Sequence, residues 1–226
     1  MWQNAHAMTV TLDSQIPASA SPTRAHRTAL IVLSSIFLAG AIFVVKAALP
    51  YLSVTEAQFE GYWPRRWWLL GHILTGIVAL LSGPVQLWLG ISDQRPALHR
   101  RLGYVYMSAV GLSALAGYYL AFSTDFGVAF GSGLAGLATA WLVTTGMAFA
   151  AIRRQLYEQH KEWMIRSYVV TAAFVAFRVV FPLLQQSGVG TVQEQLAMAA
   201  WGAWALPLLI TEAVIQGRKI LAVRSV

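Results

Sequence analysis

Residues 67–91 read WWLLGHILTGIVALLSGPVQLWLGI and contain no Asp, Glu, Lys or Arg. As an α-helix rising about 1.5 Å per residue, the stretch is about 37 Å long. That is enough to cross a hydrocarbon core of about 30 Å. Moving outward, comparable apolar runs occupy 29–49, 102–123, 127–152, 163–185 and 196–216. Each holds about 20 residues or more, the length that one crossing needs. The pattern predicts an all-α polytopic bundle of six transmembrane helices. The last run is the weakest, because Pro207 and Glu212 interrupt it.

Composition agrees. The 226 residues are 57% hydrophobic and only 11% charged, with a mean hydropathy of +0.58. A soluble domain carries about 25% charged residues to cover its surface. Most of this surface therefore faces the lipid bilayer. Cysteine is absent, which excludes disulfides, thiolate metal sites and cysteine nucleophiles. The net charge of +7 does not indicate nucleic acid, because the basic residues lie between apolar runs rather than along a soluble face.

The ends are polar. Residues 1–27, with TLDSQIPASASPT at their centre, read as a disordered tail rather than a signal peptide, since no apolar core follows a basic start within them. Residues 28–217 form the membrane domain, and 218–226 a short basic tail. With the N-terminus inside, the inner segments hold twelve Lys and Arg residues, and the outer ones hold only Lys46, Arg65 and Arg66. That asymmetry predicts both termini on the cytoplasmic side of the plasma or inner membrane. Trp63, Trp67, Trp68 and Trp88 lie near the two ends of the second run, where aromatic belts form.

Small residues mark close approaches between helices, as in Gly127-xxx-Gly131, Ser132-xxx-Gly136 and Ser113-xxx-Gly117. Polar residues within the runs carry more information, because each is costly in hydrocarbon. His72 and Arg178 fall in the outer half. Arg178 lies about 22 Å along its helix from Trp163, at the depth of Tyr118 and Tyr119. These four residues outline a pocket for a quinone headgroup or a small anionic ligand, with Asp125, Glu56 and Glu60 as candidate counter-ions. On the inner side, Gln86, His99, Arg100, His160, Arg166 and Glu212 form a second polar cluster. Within it His99 and His160 share one level, so two imidazoles can ligate one haem iron from opposite faces. His72 is about 25 Å from that level and cannot join them. Gly76 and Gly103 follow His72 and His99 by one turn and clear space for a flat ligand. No carboxylate has metal-ligand spacing with a histidine, and nothing supports a Ser/His/Asp triad.

Two longer stretches, GHILTGIVALLSGPVQLWLGISDQRPALHRRLGYVYM from Gly71 and HKEWMIRSYVVTAAFVAFRVVFPLL from His160, resemble a family of predicted integral membrane proteins, domain of unknown function 2306. The resemblance covers residues 67–185 and rests on His72, Gly83-Pro84-x-Gln86, His99-Arg100-Arg101-Leu102-Gly103-x-x-Tyr106, His160-x-x-Trp163-Met164-Ile165-Arg166-Ser167 and Arg178. It implies a membrane protein and brings no activity with it. A looser similarity is to cytochrome b561-like bundles, from which this chain departs because its fourth run lacks a histidine.

Three readings follow. The first is a membrane redox protein with one haem b on His99 and His160, exchanging electrons with a quinone near Arg178. The second is a binding or transport protein using the His72–Arg178 pocket. The third is a scaffold whose polar clusters only hold the bundle together.

Overall fold

A computed structural model describes residues 24–92 and 95–223 of the chain. The tail expected over 1–27 lies outside the described residues as far as 23, and Arg24 already opens a helix. Among the described residues all regular structure is helical: α1 (Arg24–Phe43), α2 (Glu56–Phe59), α3 (Arg66–Ser92), α4 (Pro96–Phe122), α5 (Val128–Arg153), α6 (Tyr157–Thr171), α7 (Ala173–Ser187) and α8 (Val192–Val223). Five spans among the described residues are long and apolar enough to cross a membrane, or six if the bent pair α6–α7 is one span. The protein is a multi-pass membrane protein.

The ends of the elements follow local chemistry. Helix α1 runs on through a π-helical stretch, Val44–Ala48, into a 3-10 turn, Leu49–Ser53. Pro50 opens that turn, where its missing N–H costs nothing, and Val54 at φ 48° ends it. A second 3-10 stretch, Glu60–Arg65, feeds α3. Between α4 and α5 the chain turns at Gly127, whose φ of 92° suits glycine. Before α8, the Thr191 N–H and hydroxyl bind the Glu194 carboxylate at 2.7 and 2.9 Å, while the Glu194 N–H reaches back to Thr191 Oγ1. This is a capping box. Despite Pro207, α8 continues unbroken to Val223, through residues expected to form a tail.

The helices pack in sequence, α3 on α4 and α4 on α5, with α8 against α5 and α7 and with α1 covering α3. Helix α6 sits in the middle, touching α3, α5 and α8. The main core joins Ala79, Tyr106, Ala109, Val110, Trp141, Tyr168 and Val170. Small residues admit large neighbours: Gly133 and Gly136 of α5 lie against Trp201 and Trp204 of α8, and Gly131 against the Ala121 carbonyl of α4. Helices α6 and α7 meet at a 40° bend centred on Ala172, which has ψ −6°. Thr171, just before it, returns its hydroxyl to the Ser167 carbonyl at 2.9 Å, a back-bond that bends helices.

Candidate functional site

Two adjoining cavities of about 170 and 80 Å³ lie within the bundle, and seven residues line both: Tyr51, Leu69, His72, Trp141, Thr171, Phe174 and Arg178. The larger extends between α4, α5 and α8, past Leu120, Phe130, Leu137 and Ala200. The smaller runs under the end of α1, past Val44 and Ala48. Their walls are mostly apolar, so the few polar groups decide what they can hold.

His72 is 8% exposed and fixed by α4. Its Nδ1 lies 2.8 Å from the Ser113 carbonyl, and the Ser113 hydroxyl donates to the His72 carbonyl at 3.1 Å. A carbonyl only accepts, so the proton of the neutral ring sits on Nδ1 and Nε2 presents a lone pair. Gly117 faces the ring, and a Cβ there would stand in ordinary contact at 3.6 Å. On the other side Phe174 packs at 5.0 Å between ring centroids. Opposite, Arg178 of α7 donates Nη2 to the Tyr51 hydroxyl at 3.3 Å. Arg178 makes no ion pair among the described residues. The acid expected to reach it, Asp125, is held instead by Arg65 through two hydrogen bonds of 2.8 and 3.0 Å.

Tyr118 and Tyr119 do not line either cavity. Tyr118 bonds Thr139 at 2.7 Å and stacks on Phe122, while Tyr119 stacks on Trp68 at 4.5 Å. The reason is rotation. Gly117 faces His72, and each further residue turns about 100° away from it. The phenols near the site are Tyr51 and Tyr62, from the irregular segments before α3. No apolar periodicity announces those segments.

At the other end of the bundle the expected inner cluster separates into parts. Arg166, nearly buried, donates Nε to Glu212 at 2.7 Å across α6 and α8, and stacks on Trp163. Lys219 bonds Glu162, which lies 3.8 Å from Arg166. Arg100 lies on the exposed face of α4. His99 and His160 are neighbours, 6.4 Å between ring centroids, and His160 Nδ1 is tied to the Ala148 carbonyl at 2.9 Å. The spacing suits two ligands of one ion, but a haem also needs a flat slot beside them. That slot is filled. A Cβ on Gly103 would stand only 2.8 Å from Gln86 Nε2, so Gln86 occupies the face that Gly103 clears.

The two motif stretches instead join each other. Gly83 leaves room for the Tyr168 ring, which a Cβ would meet at 2.2 Å. Pro84 lacks the N–H that would pair with the Leu80 carbonyl in a regular helix, and the Tyr168 hydroxyl donates to that carbonyl at 3.1 Å. Tyr106 bonds Ser167 and Thr171, at 2.7 and 2.8 Å. The same stretches thus lock α3, α4 and α6 together beside the cavity.

No curated protein and no solved structure matches the chain. A family model does match, over residues 69–215, from the start of the cavity wall on α3 to the far part of α8. That range holds both motif stretches, His72, Arg178 and the Arg166–Glu212 pair, and it is more than half of the chain; the protein belongs to the family described as predicted membrane protein (DUF2306).

Proposed function

We propose that the protein binds a small, largely apolar molecule carrying both a hydrogen-bond acceptor and a donor. A short-chain quinol or a protonated carboxylic acid has this chemistry. The observation that carries the reading is the pairing of Arg178, which has no ion-pair partner among the described residues, with His72 Nε2 across one apolar cavity. An arginine within a membrane helix carries a penalty of at least about 2.5 kcal/mol, and such residues mark substrate pathways. Arg178 and Tyr51 offer donors to an anionic or carbonyl head, and His72 offers an acceptor. Phe174, Trp141 and Leu69 hold the apolar body. The volumes suit one ring or a short chain. The excess of basic residues in the opposite loops supports an orientation with that end in the cytoplasm and the cavity in the outer half of the plasma or inner membrane.

Titration of the purified protein with decanoate and with a decyl-substituted benzoquinol, followed by calorimetry, tests the reading. Saturable binding to at least one is expected, lost in Arg178→Gln and weakened in His72→Ala with unfolding temperature unchanged. Equal binding by all three proteins, or none by the wild type, refutes it. The redox alternative is decided by the absorption spectrum: no Soret band is expected. A band that disappears in His99→Ala would restore haem.

A further inference from the structure

The buried hydroxyls beside the cavity form a chain whose direction the bonds themselves dictate. Trp141 Nε1, a donor only, gives its hydrogen to Thr171 Oγ1 at 2.9 Å. Thr171 gives its own hydrogen to the Ser167 carbonyl at 2.9 Å. In the 2.8 Å bond between Tyr106 and Thr171, the phenol must therefore donate. Tyr106 then has no second hydrogen, so Ser167 donates to it at 2.7 Å. By the same count Thr145 donates to Ser167 at 2.7 Å. All the O–H groups point one way, from Thr145 through Ser167 and Tyr106 to Thr171. Ser167 and Tyr106 are fully buried, and Thr171 lines both cavities.

At the other end, Thr145 stands three residues before Ala148 on α5, about 4.5 Å along the axis, and the Ala148 carbonyl holds His160 Nδ1 at 2.9 Å. Gln86 is 4% exposed and packs on Gly103, three residues before Tyr106 and four after His99 on α4. Those intervals are about 4.5 and 6 Å along the helix axis. Gln86 Oε1 accepts no hydrogen bond among the described residues. A polar oxygen buried without a partner, on the same stretch of α4 as His99 and Tyr106, is a feature that calls for an explanation.

We propose that this chain conducts protons between the His99–His160 end of the bundle and the cavity. A proton entering at Thr145 Oγ1 displaces that group's own hydrogen to Ser167. Ser167 then passes its hydrogen to Tyr106, Tyr106 to Thr171, and the Thr171 hydroxyl turns off the Ser167 carbonyl and releases its own to an acceptor in the cavity it lines. Four O–H bonds form and four break, so every hydroxyl ends neutral. The groups then rotate back. The path leads into the proposed binding cavity, but proton movement needs no bound ligand, so the two readings fail separately.

The test is proton uptake by vesicles containing the full chain and a trapped pH-sensitive dye, driven by a potassium diffusion potential with no added ligand. Uptake several-fold above protein-free vesicles is expected, reduced about tenfold or more by Tyr106→Phe. Thr139→Val, which removes a hydroxyl on the far side of α5, should leave it unchanged. Should Tyr106→Phe fail to fold, Thr145→Val takes its place and must show the same loss. Uptake no faster than in empty vesicles, or unchanged in a folded chain variant, overturns the proposal.

Discussion

Replacing Tyr168 by phenylalanine keeps the ring against Gly83 and removes one oxygen. The Leu80 carbonyl then loses its donor at 3.1 Å, and Pro84 has no N–H to substitute for it. Hydrogen bonds between membrane helices contribute about 0.6 kcal/mol on average and up to about 1.7. This one belongs at the upper end, because the acceptor it satisfies has no helical alternative. A loss of about 1–1.5 kcal/mol is expected. Pro84→Ala restores an amide N–H four residues after Leu80, in position to take over the carbonyl. In that background, Tyr168→Phe should change stability by less than about 0.5 kcal/mol. The coupling is then about 1 kcal/mol, readable in a double-mutant cycle of unfolding in mixed detergent–lipid micelles. An equal loss from Tyr168→Phe in both backgrounds would refute the account of the proline, and no loss in the wild type would refute the bond.

Gly83→Ala should destabilise the bundle by about 3 kcal/mol or more, because the new Cβ meets a buried aromatic ring. Gly103→Ala meets only the flexible end of Gln86 and should lose less than about 1 kcal/mol; reversing that order in thermal unfolding would contradict the packing described. Glu212→Gln leaves the Arg166 guanidinium with Glu162 alone at 3.8 Å, and a loss of about 1–3 kcal/mol is expected in the same assay. Hydrogen bonds from Arg65 hold the Asp125 carboxyl below its ordinary range. A depressed folded value means that the bridge stabilises the fold above the unfolded carboxyl range and is lost as pH falls through the folded value. Unfolding followed from neutral to strongly acidic pH should therefore show a decline that Asp125→Asn makes shallower.

Much of the architecture was legible because the bilayer imposes a length. Runs of about 20 apolar residues identify crossings whatever the tertiary contacts. The same rule is silent where the chain leaves the hydrocarbon. Val44–Ser53 and Glu56–Arg65 pass through π, 3-10 and α turns with no periodic signal, yet they deliver Tyr51 and Tyr62 to the cavity. The break at Ala172 was also hidden, since neither proline nor glycine stands there and its correlate is a threonine hydroxyl turned back on the helix. By contrast the TVQE that caps α8 could have been read, as Thr followed three residues later by Glu is the capping signature.

For the site, depth was readable and azimuth was not. Residue counts put His72, Arg178, Tyr118 and Tyr119 at one level, but a level is a ring around the bundle axis. Only the packing shows that His72, buried, and Arg178, still exposed, both line the cavity, while Tyr118 and Tyr119 turn to Thr139 and Trp68. The same distinction bears on the glycines. Gly103 follows His99 by one turn, and the sequence shows that space is cleared there without showing what enters it. Gln86 enters it, from a neighbouring helix and eighty-six positions into the chain, carried there by the same Gly-Pro segment that seats Tyr168. Gly83, Pro84 and Gln86 therefore act as one device: Gly83 and Pro84 bind α3 to α6, and Gln86 fills α4. Gly83→Ala, which pushes on Tyr168 next to Ser167, should therefore reduce proton uptake more than Gly103→Ala, which moves only the flexible end of Gln86.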